Sequence, residues 1–206
     1  MIYSFKVVEF TMTAIPKLIT ENEYHKLLGA CKNDRDRLIV RLLAGTGMRA
    51  GEMVSLKVED VVIFEGIIHL KAHRTKTNTY RDVIIPPSLK ADLEAHMHSL
   101  KTDDYLFGSR KKPNSHITTA RLRQIIHKLA DEAGIQRVYG RDKRGREKFV
   151  VSVHSLRHFH AVHSLDAGVK LNDLQSQLGH SNLKTTSIYL AADVQHRKMS
   201  YENVEF

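Results

Sequence analysis

The hydrophobic pattern of this chain switches from helical spacing to strand spacing once, then switches back. That switch limits the folds open to it. Thr20 and Glu23 form a capping-box pattern ahead of Tyr24, Leu27 and Leu28. Leu38, Ile39, Leu42 and Leu43 predict a second helix from about Asp34, stopped at Gly45-Thr46-Gly47. A short third helix from about Ala50 carries Met53, Val54 and Leu56. The period then shortens. Val61 to Phe64, Ile67 to Lys71 and Asp82 to Ile85 read as strands, joined at Glu65-Gly66 and across Arg74 to Tyr80. Pro86-Pro87 closes this patch. Helical patterns return over Leu89 to Leu100, Thr118 to Ala133, His154 to Ala167 and Leu171 to Leu178, and again from about Leu183 through Tyr189. Gly134, Gly168 and Gly179 stand where C-terminal caps belong. The expected fold is mainly α with a small antiparallel β-sheet, without internal repeat or long linker.

Composition narrows the partner. Lys and Arg number 32 against 23 Asp and Glu in 206 residues, a formal net charge of +9. Such a balance favours a polyanion, nucleic acid first. The excess is clustered: Lys71, Arg74, Lys76 and Arg81; Arg110, Lys111 and Lys112; and Arg137, Arg141, Lys143, Arg144, Arg146 and Lys148, diluted by Asp142 and Glu147. Each cluster alone also fits a solvated loop, but three together favour contact with a phosphate backbone. A single cysteine excludes a disulfide framework and a cysteine-based zinc site. No apolar run approaches the roughly 18 residues of a membrane span. The start, MIYSFKVVEF, lacks a signal-peptide core. A soluble, cytoplasmic protein without membrane association is expected.

Four segments carry candidate chemistry. In Gly45-Thr46-Gly47-Met48-Arg49-Ala50-Gly51-Glu52, a glycine-rich turn delivers Arg49 to a helix start, with Glu52 placed to pin it from behind. A helix start suits an anion, and a guanidinium binds two phosphate oxygens at once. In Val153-His154-Ser155-Leu156-Arg157-His158, His154 and Arg157 share a helix face. Gly179 permits a left-handed turn that holds His180, and Tyr189 falls about two turns into the next helix. Each piece alone also fits a structural role: a surface arginine at a helix break, an amphipathic helix, a core tyrosine. Thirteen histidines make a lone one uninformative.

Taken in order, these segments resemble the catalytic domain of the tyrosine recombinases, the phage-integrase family. Thr46 to Glu52 matches the family's first arginine motif, and Lys76 in Thr75-Lys76-Thr77, followed by Arg81 and Pro86, its hairpin lysine. His154-Ser155-Leu156-Arg157 matches its His-x-x-Arg box, Leu178-Gly179-His180 its Leu-Gly-His box, and Tyr189 its nucleophile. The resemblance covers about residue 16 to residue 192. It implies a tyrosine-recombinase catalytic-domain fold over 16–192, an N-terminal arm over 1–15 and a tail over 193–206. It also implies a site-specific DNA recombinase that cuts and rejoins strands through a covalent 3′-phosphotyrosyl intermediate.

In that reading Arg49, Arg157 and His180 stabilise the phosphoryl group and Tyr189 attacks it. Lys76 protonates the leaving 5′ oxygen. His154 is the candidate base, with a supporting hydrogen-bond role equally open. Glu52 supports Arg49, and Arg74, Arg81, Arg141, Lys143, Arg144 and Arg146 contact DNA. No cofactor or metal is implied, and the sequence has no Walker-type loop or acidic cluster suited to two magnesium ions. Implied partners are double-stranded DNA and three further copies of the chain in a tetramer on DNA, with a monomer when free. Met199, Tyr201, Val204 and Phe206 give the tail apolar side chains for docking on a neighbour or packing in cis.

The chain departs from the family pattern in three places. About 15 residues precede the catalytic-domain start, too few for the family's usual N-terminal helical domain. A minimal enzyme, aided by an accessory DNA-bending protein, or a catalytic fragment would each look like this. Thr77-Asn78-Thr79-Tyr80 stands where relatives often carry glycine and a second basic residue. The basic Val138 to Lys148 segment precedes the His154 box as a DNA-contacting loop or hairpin. Two other readings keep the same residues: a type IB topoisomerase-like enzyme without synapsis, and a catalytically inactive DNA-binding regulator. Tyr189→Phe separates the last from the enzymes.

Overall fold

The computed structural model describes residues 19–71 and 80–179. The N-terminal arm, the tail and the stretch from Leu183 to Tyr189 lie outside the described residues, as do Arg74, Lys76, His180 and Tyr189.

The helices form where cap and stripe agree. α1 (Glu21–Gly29) starts at the Thr20 capping box: the Glu23 N–H donates to Thr20 Oγ1 at 3.2 Å, and the Thr20 N–H to Glu23 Oε2 at 3.0 Å. α2 (Asp34–Thr46) is capped by Asn33 and buries Leu38, Ile39, Val40, Leu42, Leu43 and Ala44. Apolar on nearly every side of its C-terminal half, it is the central helix. α3 (Ala50–Val54) follows after a tight break.

A 3₁₀ turn (Val58–Asp60) leads into an antiparallel sheet of β1 (Val61–Val62), β2 (Ile67–Leu70) and β3 (Arg81–Ile84), in that order. β1 is shorter than the sequence suggests: Ile63 to Gly66 forms the turn, and the Gly66 N–H donates back to Val62. The register pairs Ile68 with Val83 and Leu70 with Arg81. Ile68, Leu70 and Val83 are buried, whereas His69 and Asp82 pair on the outer face.

α4 (Pro87–Met97) starts with proline in its first turn, where the missing N–H costs nothing. α5 (Thr119–Glu132) buries Leu122, Ile125, Ile126, Leu129 and Ala130, a one-sided stripe at helical spacing. β4 (Val138–Arg141) and β5 (Glu147–Phe149) form a separate two-stranded ribbon, so the basic segment before the His154 box is a hairpin. α6 (Val153–Asp166) packs across α2. It also pairs with α7 (Leu171–Leu178) through Ala161, Leu165, Leu174 and Leu178. The main core runs from Ile19 through α2, the sheet and α5 to Phe159.

Candidate active site

The site is built where three chain breaks meet. The first is the end of α2. Gly47 closes that helix in the left-handed region, with φ 64°, and its N–H donates to Leu43 at 3.0 Å. The turn sets Arg49 just ahead of α3 and Glu52 in its first turn. Arg49 Nη1 donates to Glu52 Oε1 at 2.9 Å, and the Arg49 backbone N–H to Glu52 Oε2 at 2.8 Å. The Glu52 carboxylate is 1% exposed.

The second is the first half of α6. Arg157 is buried, and its fork reaches two carbonyls: Nη1 to Gly47 at 2.6 Å and Nη2 to Leu178 at 2.7 Å. His154 lies one turn earlier, its ring edge-on to His158 with centroids 4.4 Å apart. Partial desolvation, then the positive charges of Arg157 and Arg49, hold His154 below the usual imidazole value. His158 is pushed down to about 4 by burial, with His154 and Arg157 adding to it. His160, packed behind Gly47, is also pushed down to about 4. Burial is again the main cause; a hydrogen bond to the Ala44 carbonyl opposes it, and Arg157 and His163 add to it.

The third is the end of α7, capped by Gly179 with φ 63°. The Leu178 carbonyl accepts from both Arg157 and Arg81, the latter through Nη1 at 2.6 Å, and the Gly179 carbonyl accepts from Arg49 Nη2 at 2.9 Å. Three guanidinium groups thus meet two successive carbonyls at the negative end of a helix dipole. Arg81 also donates through Nη2 to Glu52 Oε2 at 2.7 Å. Gln177 ties the same corner to the sheet, accepting from the Ile84 N–H at 2.9 Å and donating to the Thr46 carbonyl at 3.2 Å. Among the described residues, one carboxylate stands against these three arginines, so the cluster suits an oxyanion such as a phosphodiester.

The structure brings together Arg49, Glu52, Arg81, His154 and Arg157, from segments far apart in sequence. His180 follows Gly179 directly, outside the described residues. Arg141, Lys143, Arg144 and Arg146 stand apart on the exposed β4–β5 ribbon, where Arg141 faces Glu147 and Arg146 bonds Asp142. Arg81, read from sequence as a DNA contact, has a 10% exposed side chain with both terminal nitrogens engaged. The structure enlarges the Arg110–Lys112 cluster with two arginines that the sequence reading did not single out, Arg35 and Arg121. Arg35, Arg110, Lys111 and Arg121 line a cleft of about 520 Å³ beside Thr118. Arg35 is held below its ordinary pKa mainly by burial; Asp36 opposes this, and the charges of Arg110 and Arg121 add to it. Arg110 and Lys111 stand together in sequence, whereas Arg35 and Arg121 come from α2 and α5 and join them only through the fold.

Residues 17–196 match the model of the phage integrase family. The chain is 34% identical over 193 residues to the tyrosine recombinase XerA of Pyrococcus furiosus, covering 91% of this chain and 62% of that protein. It is 35% identical over 181 residues to a tyrosine recombinase of Pseudothermotoga lettingae, covering 85% of this chain and 56% of the relative. The chain therefore spans about three fifths of the length of these relatives. Among solved structures, a crystal structure of XerA recombinase superposes with a TM-score of 0.74 at 29% identity, over 95% of this chain and 66% of that one. XerH site-specific recombinase bound to its difH substrate shares the fold, with a TM-score of 0.70 at 24% identity, over 96% of this chain and 57% of that one.

Proposed function

The chain belongs to the phage integrase family, and on that premise we propose that it is a site-specific DNA recombinase working through Tyr189. The Tyr189 oxygen attacks the scissile phosphorus, the bond from phosphorus to the 5′ oxygen breaks, and a 3′-phosphotyrosyl link forms. The tyrosine proton leaves toward His154, and Lys76 gives a proton to the departing 5′ oxygen. Arg49, Arg157 and His180 hold the non-bridging oxygens as charge builds on them. Religation runs the same steps in reverse, so the phosphodiester energy is conserved and no nucleotide cofactor or metal takes part.

One observation carries the reading. Arg49 and Arg157, from separate motifs, converge on the Leu178–Gly179 carbonyls immediately before His180. That convergence is what a site for one phosphate requires. His154 stays neutral at physiological pH, as a proton acceptor must.

Double-stranded DNA is the proposed partner, gripped away from the cleaved phosphate by the β4–β5 ribbon and the Arg35–Arg110–Arg121 cleft. Residues 16–192 form the catalytic domain. The 193–206 tail docks on a neighbouring subunit of a tetramer assembled on DNA. A groove of about 650 Å³, lined on its apolar side by Tyr24, Leu89, Phe159 and Leu174, suits the tail's Met199, Tyr201, Val204 and Phe206.

Trapping tests the chemistry. Purified protein is mixed with labelled nicked duplex from beside its own gene in a chelator, then quenched in detergent, with Tyr189→Phe in parallel. A 3′-linked adduct lost in the mutant is expected. DNA binding without an adduct on any flanking segment would overturn the enzyme reading in favour of a DNA-binding regulator.

A further inference from the structure

Arg81 is anchored inside the site on two elements at once. It pairs with Leu70 across the β2–β3 ladder, so the two residues form the mouth of the hairpin whose connection, residues 71–80, contains Lys76. From that mouth the Arg81 side chain turns inward. Its Nη2 grips Glu52, the carboxylate that also holds Arg49, and its Nη1 grips the Leu178 carbonyl, two residues before His180. Its Nε is buried with no hydrogen-bond partner among the described residues. The arginine is held for the reach of its two terminal nitrogens, at the expense of the third donor.

Both acceptors keep another arginine without it: Glu52 keeps Arg49, and Leu178 keeps Arg157. Gln177 ties α7 to the far end of β3 at Ile84; among the described residues, Arg81 is the side chain that links those groups to the mouth of the lysine hairpin. The backbone is shaped around that link. A Cβ on Gly179 would run into the Arg81 guanidinium, so the turn before His180 leaves room for it. Lysine cannot replace it, because one ammonium lacks the fork that reaches two acceptors on different elements.

We infer that Arg81 is a positioning residue for strand cleavage, fixing the mouth of the Lys76 hairpin to the Glu52–Arg49 pair and to the α7 turn. The inference rests on the recombinase reading above, with Lys76 as the proton donor. It assigns Arg81 an effect on leaving-group protonation and none on DNA affinity.

A sulfur substitution isolates that step. In a duplex whose scissile phosphate has its bridging 5′ oxygen replaced by sulfur, the leaving thiolate departs without needing a proton, since a thiol is far more acidic than an alcohol. Single-turnover cleavage is measured on oxygen and sulfur substrates for wild type, Lys76→Ala, Arg81→Ala and Arg81→Lys, alongside DNA affinity. On oxygen, Arg81→Ala is expected to slow cleavage on the order of 10²-fold, the scale of a misplaced catalytic group. Arg81→Lys should be slowed as well, with affinity unchanged in both. On sulfur the defect should close for both, as it does for Lys76→Ala. A defect that persists on sulfur, or an affinity loss matching the rate loss, overturns the inference while Lys76→Ala rescue leaves the recombinase reading standing. Failure of wild type to cleave either substrate overturns that reading itself. If Arg81→Ala does not fold, Arg81→Lys carries the same comparison.

Discussion

Arg157 Nη1 donates at 2.6 Å to the carbonyl of Gly47, joining the buried arginine of α6 to the residue that ends α2. The bond needs Gly47 in its left-handed conformation, and the space around it admits no side chain. A Cβ there would lie 2.6 Å from both His160 Cδ2 and Leu178 Cδ2. Gly47→Ala therefore combines left-handed backbone strain with overpacking. A loss of roughly 2–5 kcal/mol is expected in urea unfolding. Cleavage should fall in the surviving folded fraction, because Arg157 and Leu178 move together. Wild-type stability in the alanine variant would show that the α2–α6 junction has slack the packing does not suggest.

Glu52 is the one carboxylate between Arg49 and Arg81, and it is buried. Removing one partner of a buried ion pair leaves the other charges uncompensated, at about 3–5 kcal/mol. Glu52→Ala should approach that cost. Glu52→Gln keeps the shape and one acceptor oxygen, so it should lose less stability. Both should cleave more slowly with little change in DNA affinity. Chemical denaturation beside single-turnover trapping separates the two effects, and equal stability losses in the two variants would count against the charge argument.

The Arg49–Glu52 pair was legible from spacing, because residues three apart at a helix start face each other. The second arginine on the same carboxylate was not, since Arg81 arrives from the sheet and only the fold brings it there. The Thr20 capping box and the glycine break at the end of α2 were legible for the same local reason. The β4–β5 ribbon resisted a single reading. Every β4 residue is exposed, so no alternation of apolar and polar residues marks the strand. Ile63 and Phe64 misled in the other direction: apolar residues extended β1 on paper, while Gly66 turns the chain after Val62. The crowding that forbids a side chain at Gly47 comes from α6 and α7, which a local pattern cannot reveal.

His160 makes stability depend on pH. Its Nδ1 lies 3.0 Å from the Ala44 carbonyl, and its Nε2 is buried with no partner among the described residues. Protonation would place a charge on that nitrogen, and the folded pKa is accordingly about 4 against 6.5. The unfolded chain binds the proton more readily, so stability is full above about pH 6.5 and falls as pH drops through the window to about 4. His160 contributes on the order of 3 kcal/mol across it, and His158 adds to the same slope. Urea midpoints measured from pH 7 to pH 4 should fall steeply in wild type and less steeply in His160→Gln. Parallel curves would remove His160 as the source.

His154 should show in the rate rather than in the fold. Desolvation, Arg157 and Arg49 lower its pKa, so it is neutral at pH 7 and able to accept a proton. Single-turnover cleavage by wild type is expected to fall on acidification below the ordinary imidazole value, with one ionisation. In His154→Gln that ionisation should vanish and the rate at pH 7 drop by roughly 10²-fold or more, as for loss of a general base. A small loss with the acid limb intact would assign His154 the hydrogen-bonding role instead.

Four of the ribbon's five cations, Arg141, Lys143, Arg144 and Arg146, should not contribute equally to DNA binding. Asp142 takes Arg146 through Nη2 at 2.7 Å, and Glu147 faces Arg141 at 3.4 Å. Both arginines must share or leave an acid before they meet a phosphate. Lys143 and Arg144 sit at the exposed turn between the strands, where the Arg144 backbone N–H donates to Asp142 and leaves both side chains to solvent. Neutralising one phosphate fewer makes the slope of log affinity against log salt shallower by about 0.9. Lys143→Ala and Arg144→Ala should each approach that change, uniformly across DNA sequences. Arg141→Ala and Arg146→Ala should change the slope less, since each of these cations is already partly neutralised by its acid. Titration at several salt concentrations reads all four. A slope unchanged in every variant would take these four cations off the DNA and leave Lys148 and the Arg35–Arg110–Arg121 cleft as the backbone contacts.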